Sequence, residues 1–280
     1  MRSTWDELAV DPLDLNGKIA LVTGGGTGIG AECARVLARH GADLVLTSRH
    51  LEDLNATGAE IAEQTGRCWI AAQGDAKVEA DVRSVVRAAI DHFGKIDILV
   101  NNAGGAQPSP ALTMPTKAWD AVVGLNLRAP FLFAREVAPS MIDHGAGSIV
   151  NISSIGGVRG GKGLAHYSAA KAGLQMLTRV LAAEWAGYGI RVNCVAVGTV
   201  ASERAVAVWE RTGNSLESFA AEVPIGRIGA PLDIAHPVLF LASSLSSFVT
   251  GQTLTSSGGY PQLPGVPDDL LREMVHRARP

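Results

Sequence analysis

Tyr167 and Lys171 stand four residues apart in Tyr167-Ser-Ala-Ala-Lys171, and Ser154, the second of the pair Ser153-Ser154, lies thirteen residues before the tyrosine. On a helix this spacing puts phenol and ammonium on one face, one turn apart. A free phenol titrates near ~10 and exchanges protons poorly at neutral pH, but an adjacent positive charge favours the phenolate and moves the pKa toward the working range. Such a pair can hand a proton to an oxygen, or take one from it. Beside a nicotinamide it would accompany hydride transfer.

A setting for that cofactor lies far upstream, in Thr23-Gly-Gly-Gly-Thr-Gly-Ile-Gly30. The stretch follows an apolar run and opens a helical segment over residues 31–40, the strand-turn-helix context of a dinucleotide fingerprint. Gly24, Gly28 and Gly30, with Thr27 and Ile29 among them, read G-x-x-x-G-x-G. They let the backbone turn sharply against a pyrophosphate, whose charge meets free N–H groups at the helix N-terminus. The second strand ends at Ser48-Arg49, with no acid until Glu52. A carboxylate at this place would bind the ribose diol of NAD, whereas an arginine accommodates the 2′-phosphate of NADP. NADP(H) is therefore preferred, and NAD(H), with Arg49 merely on a surface turn, is the alternative. Asp75 and Ala76 follow the third strand and are placed at the adenine; Asp75 could equally be the N-cap of the next helix.

These residues need a scaffold that brings distant segments together. Apolar runs at 19–23, 43–48, 67–73, 96–100, 148–153, 191–197 and 252–255 read as strands, with helical candidates between them. Their continuous apolar character indicates burial on both faces, and the alternation is a βαβ series. The predicted fold class is α/β, a single-domain, Rossmann-type, doubly wound parallel seven-stranded sheet. That domain spans residues 17–260, after an N-terminal extension (1–16) and before a tail (261–280). Residues 203–224, carrying Trp209 and Phe219, break the rhythm and are expected to form a substrate lid, or else a plain surface helix.

Composition narrows the function classes. With 280 residues, 47% hydrophobic and 18% charged, the chain suits one large enzyme-like domain. A net charge of -3 with scattered lysines and arginines offers nothing to nucleic acid or an anionic membrane, so the expected partner is a small-molecule substrate. Cys33, Cys68 and Cys194 lack C-x-x-C spacing and are expected to be buried, reduced and inert. The seven histidines, His166 among them, show no metal-ligand spacing, and no metal is expected. Residues 1–16 lack the basic-then-apolar order of a signal peptide, and no apolar run approaches ~18 residues, so a cytoplasmic protein is expected.

Six stretches in order, covering essentially all of residues 15–260, resemble the classical short-chain dehydrogenase/reductase family: the turn ending at Gly30, Asn101-Asn102-Ala103-Gly104, Asn126 within Gly-Leu-Asn-Leu, Ser154, Tyr167-x-x-x-Lys171, and the run from Arg191 to Gly198. The resemblance implies a sheet ordered 3-2-1-4-5-6-7 and a homo-oligomer, usually a tetramer. It implies that Tyr167 is the general acid/base, that Ser154 holds the substrate oxygen, and that Lys171 lowers the Tyr167 pKa and bonds the nicotinamide ribose. Asn126 would hold a water that links Lys171 to solvent. Residues 101–104 would wall the cofactor cleft, and Gly198 to Val200 would approach the carboxamide.

Some positions depart from the family pattern. Val197-Gly198 replaces Pro-Gly, which is expected to loosen the turn beside the nicotinamide. Ser257-Gly-Gly replaces Asp-Gly-Gly, and residues 156–163 are unusually rich in glycine. Residues 48–57, 102–105 and 184–191 are similar to the enoyl- and dienoyl-CoA reductase branches, which act on C=C. Those branches tend to depart from the Tyr-x-x-x-Lys arrangement that is intact here. Carbonyl/alcohol chemistry is preferred, with a 3-oxoacyl thioester among the substrates; a non-catalytic NADP(H)-binding sensor is the runner-up of another class.

Overall fold

The computed structural model describes residues 11–203, 205–206 and 216–259. The tail, most of the N-terminal extension and the middle of the expected lid, Trp209 included, lie outside the described residues.

Seven strands form one parallel sheet in the order β3-β2-β1-β4-β5-β6-β7, as expected. They are β1 (Ile19–Thr23), β2 (Asp43–Ser48), β3 (Trp69–Gln73), β4 (Ile98–Asn101), β5 (Gly147–Ser154), β6 (Ile190–Val197) and β7 (Thr253–Ser256). Alternate residues of each strand serve opposite faces, so Leu21 and Val22 belong to separate hydrophobic layers. Two strands start two residues later than expected, for a common reason. The N–H of Cys68 goes to Asp43 Oδ1 at 2.8 Å, and that of Ile96 to Ser140 Oγ at 3.2 Å, so side chains and not the neighbouring strand take the first donors.

Layers of helix cover both faces. On one side α1 (Gly28–Arg39), α2 (Leu51–Thr65) and α9 (Leu232–Ala242) bring Cys33, Leu37, Leu54, Ile61, Val238 and Leu241 against Val22, Leu44 and Val150. On the other, α3 (Glu79–Phe93), α5 (Ala129–Asp143) and α7 (Ala165–Trp185) bring Val82, Val85, Phe133, Val137 and Leu181 against Leu21, Val45 and Val192. Three short helices lie at the strand ends and between the layers: α4 (Thr116–Val123), α6 (Gly156–Arg159) and α8 (Leu216–Glu222), the last within the expected lid. Between α4 and α5 the chain makes a π-helical turn, Gly124–Arg128. None of the described helices is long and apolar enough to cross a membrane.

All three cysteines are free, but their expected burial needs correction. Cys33 and Cys194 are buried, and burial pushes their thiols up to about 12 and about 11 respectively. Cys68 is exposed, because it precedes β3 at the sheet's outer edge instead of lying within it.

Arg191, at the start of β6, ties the sheet to the end of α9. Its guanidinium donates to Leu241 O (2.8 Å), Ser243 O (3.2 Å) and Ser246 Oγ (2.6 Å), satisfying carbonyls that a helix C-terminus leaves open. Burial lowers its pKa, so this charge is costly unless fully bonded. Replacing it by methionine (Arg191→Met) removes the charged donor and leaves Leu241 O and Ser243 O only the hydroxyls of Ser148 and Ser246, which should cost ~1–3 kcal/mol. Thermal unfolding should then begin roughly 5–10 °C lower; an unchanged melting temperature would show that the staple contributes nothing.

Candidate active site

The site is assembled where β5 runs out. β5 keeps its ladder with β6 as far as Ser154, opposite Val197, and Ile155 then donates to Val197 O at 3.0 Å. Gly156 donates its N–H to Ser154 Oγ at 3.0 Å, which fixes the serine side chain at the start of α6. Across from it α7 carries Tyr167 and Lys171 on one face, as their spacing requires. The Ser154 hydroxyl lies close enough to the Tyr167 phenol to lower its pKa, and a Cβ on Gly156 would stand 3.4 Å from Ser154 Oγ and 3.6 Å from Tyr167 Cε1. Lys171 is only 3% exposed; its Nζ donates to Ile152 O at 2.7 Å and sits 5.7 Å from the centroid of the Tyr167 ring.

The electrostatics differ from the expectation that Lys171 lowers the tyrosine pKa. Burial raises the phenol above its ordinary value, the nearby Ser154 hydroxyl pulls the other way, and the ammonium, aimed at Ile152 O, is not among the influences on it. Lys171 itself is brought down to about 8, because burial disfavours its charge.

Asn126 is fully buried within the π-turn. It donates to Gly105 O and Val122 O, each at 2.9 Å, and accepts from Gly105 N at 3.0 Å. Both donors are thus used to clamp the loop after β4, and the water-holding role expected of this side chain does not follow from its contacts. A Cβ on Gly104 would stand 2.8 Å from Asn126 Oδ1 and 3.2 Å from Lys171 Nζ, so only glycine lets the three approach.

The glycine turn abuts the same strand ends. Gly24 (φ +65°) donates to Thr47 O at 2.7 Å, and a Cβ on Gly30 would collide with Gly24 O. Thr27 takes extended backbone, and α1 begins at Gly28, three residues earlier than the expected Ala31. No side chain caps α1, so its first N–H groups, at Gly28, Ile29 and Gly30, face an open cradle that suits an anionic group. Asn102 donates to Thr23 O (2.9 Å) and Gly24 O (3.2 Å), while Asn102 N and Ala103 N both donate to Thr23 Oγ1. Asn101, by contrast, turns inward to Asn151 Oδ1 and Pro130 O and is a buried sheet residue.

At the far end of this cleft Arg49 is exposed at the end of β2. Its guanidinium has no partner among the described residues, and it borders an open groove of about 320 Å³ shared with Gln73, Gly74, Asp75, Asp81 and Ser84. Ser48 Oγ is bonded to the backbone of His50. Asp75 accepts from Lys77 N at 2.9 Å, forming a local turn; it does not cap α3, whose cap position is Val78. Ala76 is half-buried against the α3–α5 layer.

The turn after β6 is held despite Val197. Gly198 N donates to Ser256 O at 2.9 Å, a Cβ on Gly198 would lie 2.6 Å from Ser257 Cα, and buried Val200 bridges Gly229. Backbone hydrogen bonds replace the rigidity that a proline would supply, which corrects the expected loosening. Residues 156–163 are likewise anchored, through α6 and through Ser109 N donating to Gly163 O at 2.8 Å. One group near the site, Gln175, is not among those expected from the sequence. Gln175 could have been found from its place four residues beyond Lys171 on the same helical face. No cluster of three or more histidine, cysteine or acidic side chains suited to a metal ion occurs among the described residues.

Comparison with known proteins agrees with this geometry. A family model described as enoyl-(acyl carrier protein) reductase matches residues 24–261. The chain is 37% identical over 249 residues to a peroxisomal 2,4-dienoyl-CoA reductase of Danio rerio, covering 88% of this chain and 82% of that one. It is 36% identical over 247 residues to the 3-oxoacyl-[acyl-carrier-protein] reductase of Thermotoga maritima (88% and 98%), and 39% identical over 260 residues to the D-threitol dehydrogenase of Mycolicibacterium smegmatis (91% and 97%). Among solved structures, a 7α-hydroxysteroid dehydrogenase complexed with NADH and 7-oxo glycochenodeoxycholic acid superposes with a TM-score of 0.85 at 35% identity, over 91% of this chain and 98% of that one.

The buried lysine has a measurable signature. Burial brings folded Lys171 down to about 8, whereas the unfolded side chain keeps its proton up to the ordinary lysine value of 10.5. Between these values the unfolded chain binds more protons, so this group's contribution to stability rises with pH. The stability difference between wild type and Lys171→Met, followed by urea unfolding from pH 8 to 10, should shift in favour of wild type by on the order of 2 kcal/mol. A flat difference would mean that the lysine is not depressed.

Proposed function

Because the chain belongs to the short-chain dehydrogenase/reductase family and is an oxidoreductase, we propose that it interconverts a carbonyl and a secondary alcohol with NADP(H), Tyr167 acting as general acid and base. The observation that carries this reading is the convergence of Ser154 and Tyr167 on either side of Gly156, with the Lys171 ammonium 5.7 Å from the centroid of the tyrosine ring.

The turn of Gly24, Thr27, Gly28, Ile29 and Gly30 suits a pyrophosphate, since no side chain caps α1 and its first N–H groups are left for an anion. Arg49 and Ser48 take the 2′-phosphate side, Asp75 and Ala76 border the adenine, Asn102, Ala103 and Gly104 line the middle, and Gly198 and Val200 back the nicotinamide end. When bound, the cofactor supplies or accepts the hydride. The Tyr167 and Ser154 hydroxyls meet the substrate oxygen; in reduction Tyr167 gives it a proton, in oxidation it removes one. Negative charge on that oxygen grows toward the transition state, so two fixed donors stabilise it more than the ground state. Lys171, aimed at Ile152 O and 5.7 Å from the centroid of the tyrosine ring, takes the nicotinamide ribose. Asn126 holds Gly104–Gly105 against both.

A 3-oxoacyl thioester is the substrate class we favour, supported by the Thermotoga maritima relative and by the intact Tyr167-x-x-x-Lys171 and Ser154. C=C reduction of an enoyl or dienoyl thioester is the second reading, favoured by the description of the family model and the Danio rerio relative.

NADPH oxidation measured with a 3-oxoacyl thioester, an enoyl thioester and a simple ketone separates these readings. We expect turnover of the oxoacyl substrate and its loss by about 100-fold or more in Tyr167→Phe, with NADPH binding retained. Binding without turnover of any substrate would leave a cofactor sensor. Arg49→Asp should weaken NADPH by about 10- to 100-fold relative to NADH, the range for losing hydrogen bonds to a charged group. Equal use of the two cofactors by wild type would refute the NADP(H) assignment.

A further inference from the structure

We infer that Gln175 is a positioning residue, which holds the Ser154 end of β5 in register with the Tyr167–Lys171 face of α7 and thereby sets where the serine hydroxyl stands relative to the tyrosine. The inference rests on the carbonyl/alcohol reading, in which the two hydroxyls together address the substrate oxygen.

The surfaces that meet here are nearly smooth. Gly157 of α6 approaches α7 so closely that a Cβ on it would lie 2.7 Å from Lys171 C, 2.8 Å from Ala172 N and 3.0 Å from Gln175 Nε2. Apolar ridges normally lock the register of packed elements, and small residues provide none. Hydrogen bonds take over that task, four of them spread over three consecutive β5 residues. Lys171 Nζ donates to Ile152 O at 2.7 Å, and Ser153 Oγ donates to Lys171 O at 3.0 Å. Gln175 Nε2 donates to Ser153 Oγ at 3.0 Å and to Ser154 O at 3.3 Å.

Gln175 is thus the one group on α7 that grips the backbone of Ser154 itself through a side-chain bond among the described residues. It occupies the turn after Lys171, half-buried, and acts on the chemistry only through the strand it holds. Proton-transfer partners must be kept within ~0.5 Å of their working geometry, and a ~1 Å displacement can cost ~100-fold in rate. The amide of Gln175 supplies that constraint where packing cannot.

The test is a double-mutant cycle on the full-length enzyme with NADPH and a 3-oxoacyl thioester. Gln175→Met keeps the volume and removes both donors. Its kcat should fall by roughly 10- to 30-fold, within the cost of a sub-ångström misplacement, with KM and NADPH affinity unchanged within a factor of about two. In a Ser154→Ala background the same replacement should cost under about two-fold, because the residue it acts through is already gone. Equal losses in both backgrounds, or no loss in wild type, would overturn the inference. Should Gln175→Met fail to fold, Ser153→Ala, which removes the hydroxyl shared by Gln175 and Lys171, must show the same non-additivity with Ser154→Ala. Tyr167→Phe separates the two levels of the argument. Full activity in that variant overturns the acid/base reading, whereas its inactivity alongside an unaffected Gln175→Met overturns the positioning role alone.

Discussion

An ammonium buried to 3% exposure is expensive, and much of the centre of this protein is arranged around that expense at Lys171. A single strong acceptor, Ile152 O, stands 2.7 Å away, and no carboxylate joins it as an ion-pair partner among the described residues. The charge is therefore held weakly enough to leave near neutrality, with a pKa brought down to about 8. A carboxylate partner would have restored the ordinary lysine range. The surroundings instead keep the group poised between two protonation states, beside a phenol that burial also keeps neutral. Strand β5 must end, α7 must approach and the loop after β4 must fold over, all at backbone distance, for this to hold.

Close approach explains where glycine is required. Gly104 sits between Asn126 and Lys171, Gly157 against the backbone of α7, and Gly30 against Gly24, and in each case a Cβ would overlap a neighbour. These contacts bring three chain segments far apart in sequence to one cleft at the carboxyl ends of the strands, where an open α/β sheet offers room for a ligand. The same crowding leaves little apolar interlocking, which is why polar side chains such as Asn102, Asn126 and Gln175 bridge the segments.

The fold was largely legible because its signals are local: apolar runs of strand length, intervening helical periods, and a glycine turn directly after β1. The seven strands and their order match that reading, with shifts of one or two residues where Asp43 and Ser140 capture the first donors. The pairing of Tyr167 with Lys171 followed from helical spacing. What spacing does not encode is burial and the destination of each polar atom. Hence the phenol is raised and not lowered, Asn126 spends its donors on backbone, Cys68 lies in the open, and Val197 needs no proline because Gly198 and Ile155 close the turn by hydrogen bonds. Gln175 stayed hidden because a glutamine on a helix face usually points to water.

The π-turn at Gly124–Arg128 has a bearing on which lengths of chain this architecture accepts. Each helical residue advances the chain by ~100° about the axis, so one supernumerary residue between α4 and α5 offsets their faces by that angle. Phe133 and Val137 meet the sheet with that offset in place. Shortening the segment by a single position would swing the apolar stripe of α5 toward solvent while carrying Asn126 out of the interior. Relatives that gain or lose residues should therefore do so elsewhere, in the connections that cap the strand ends, and preserve the length of this stretch even where its amino acids change.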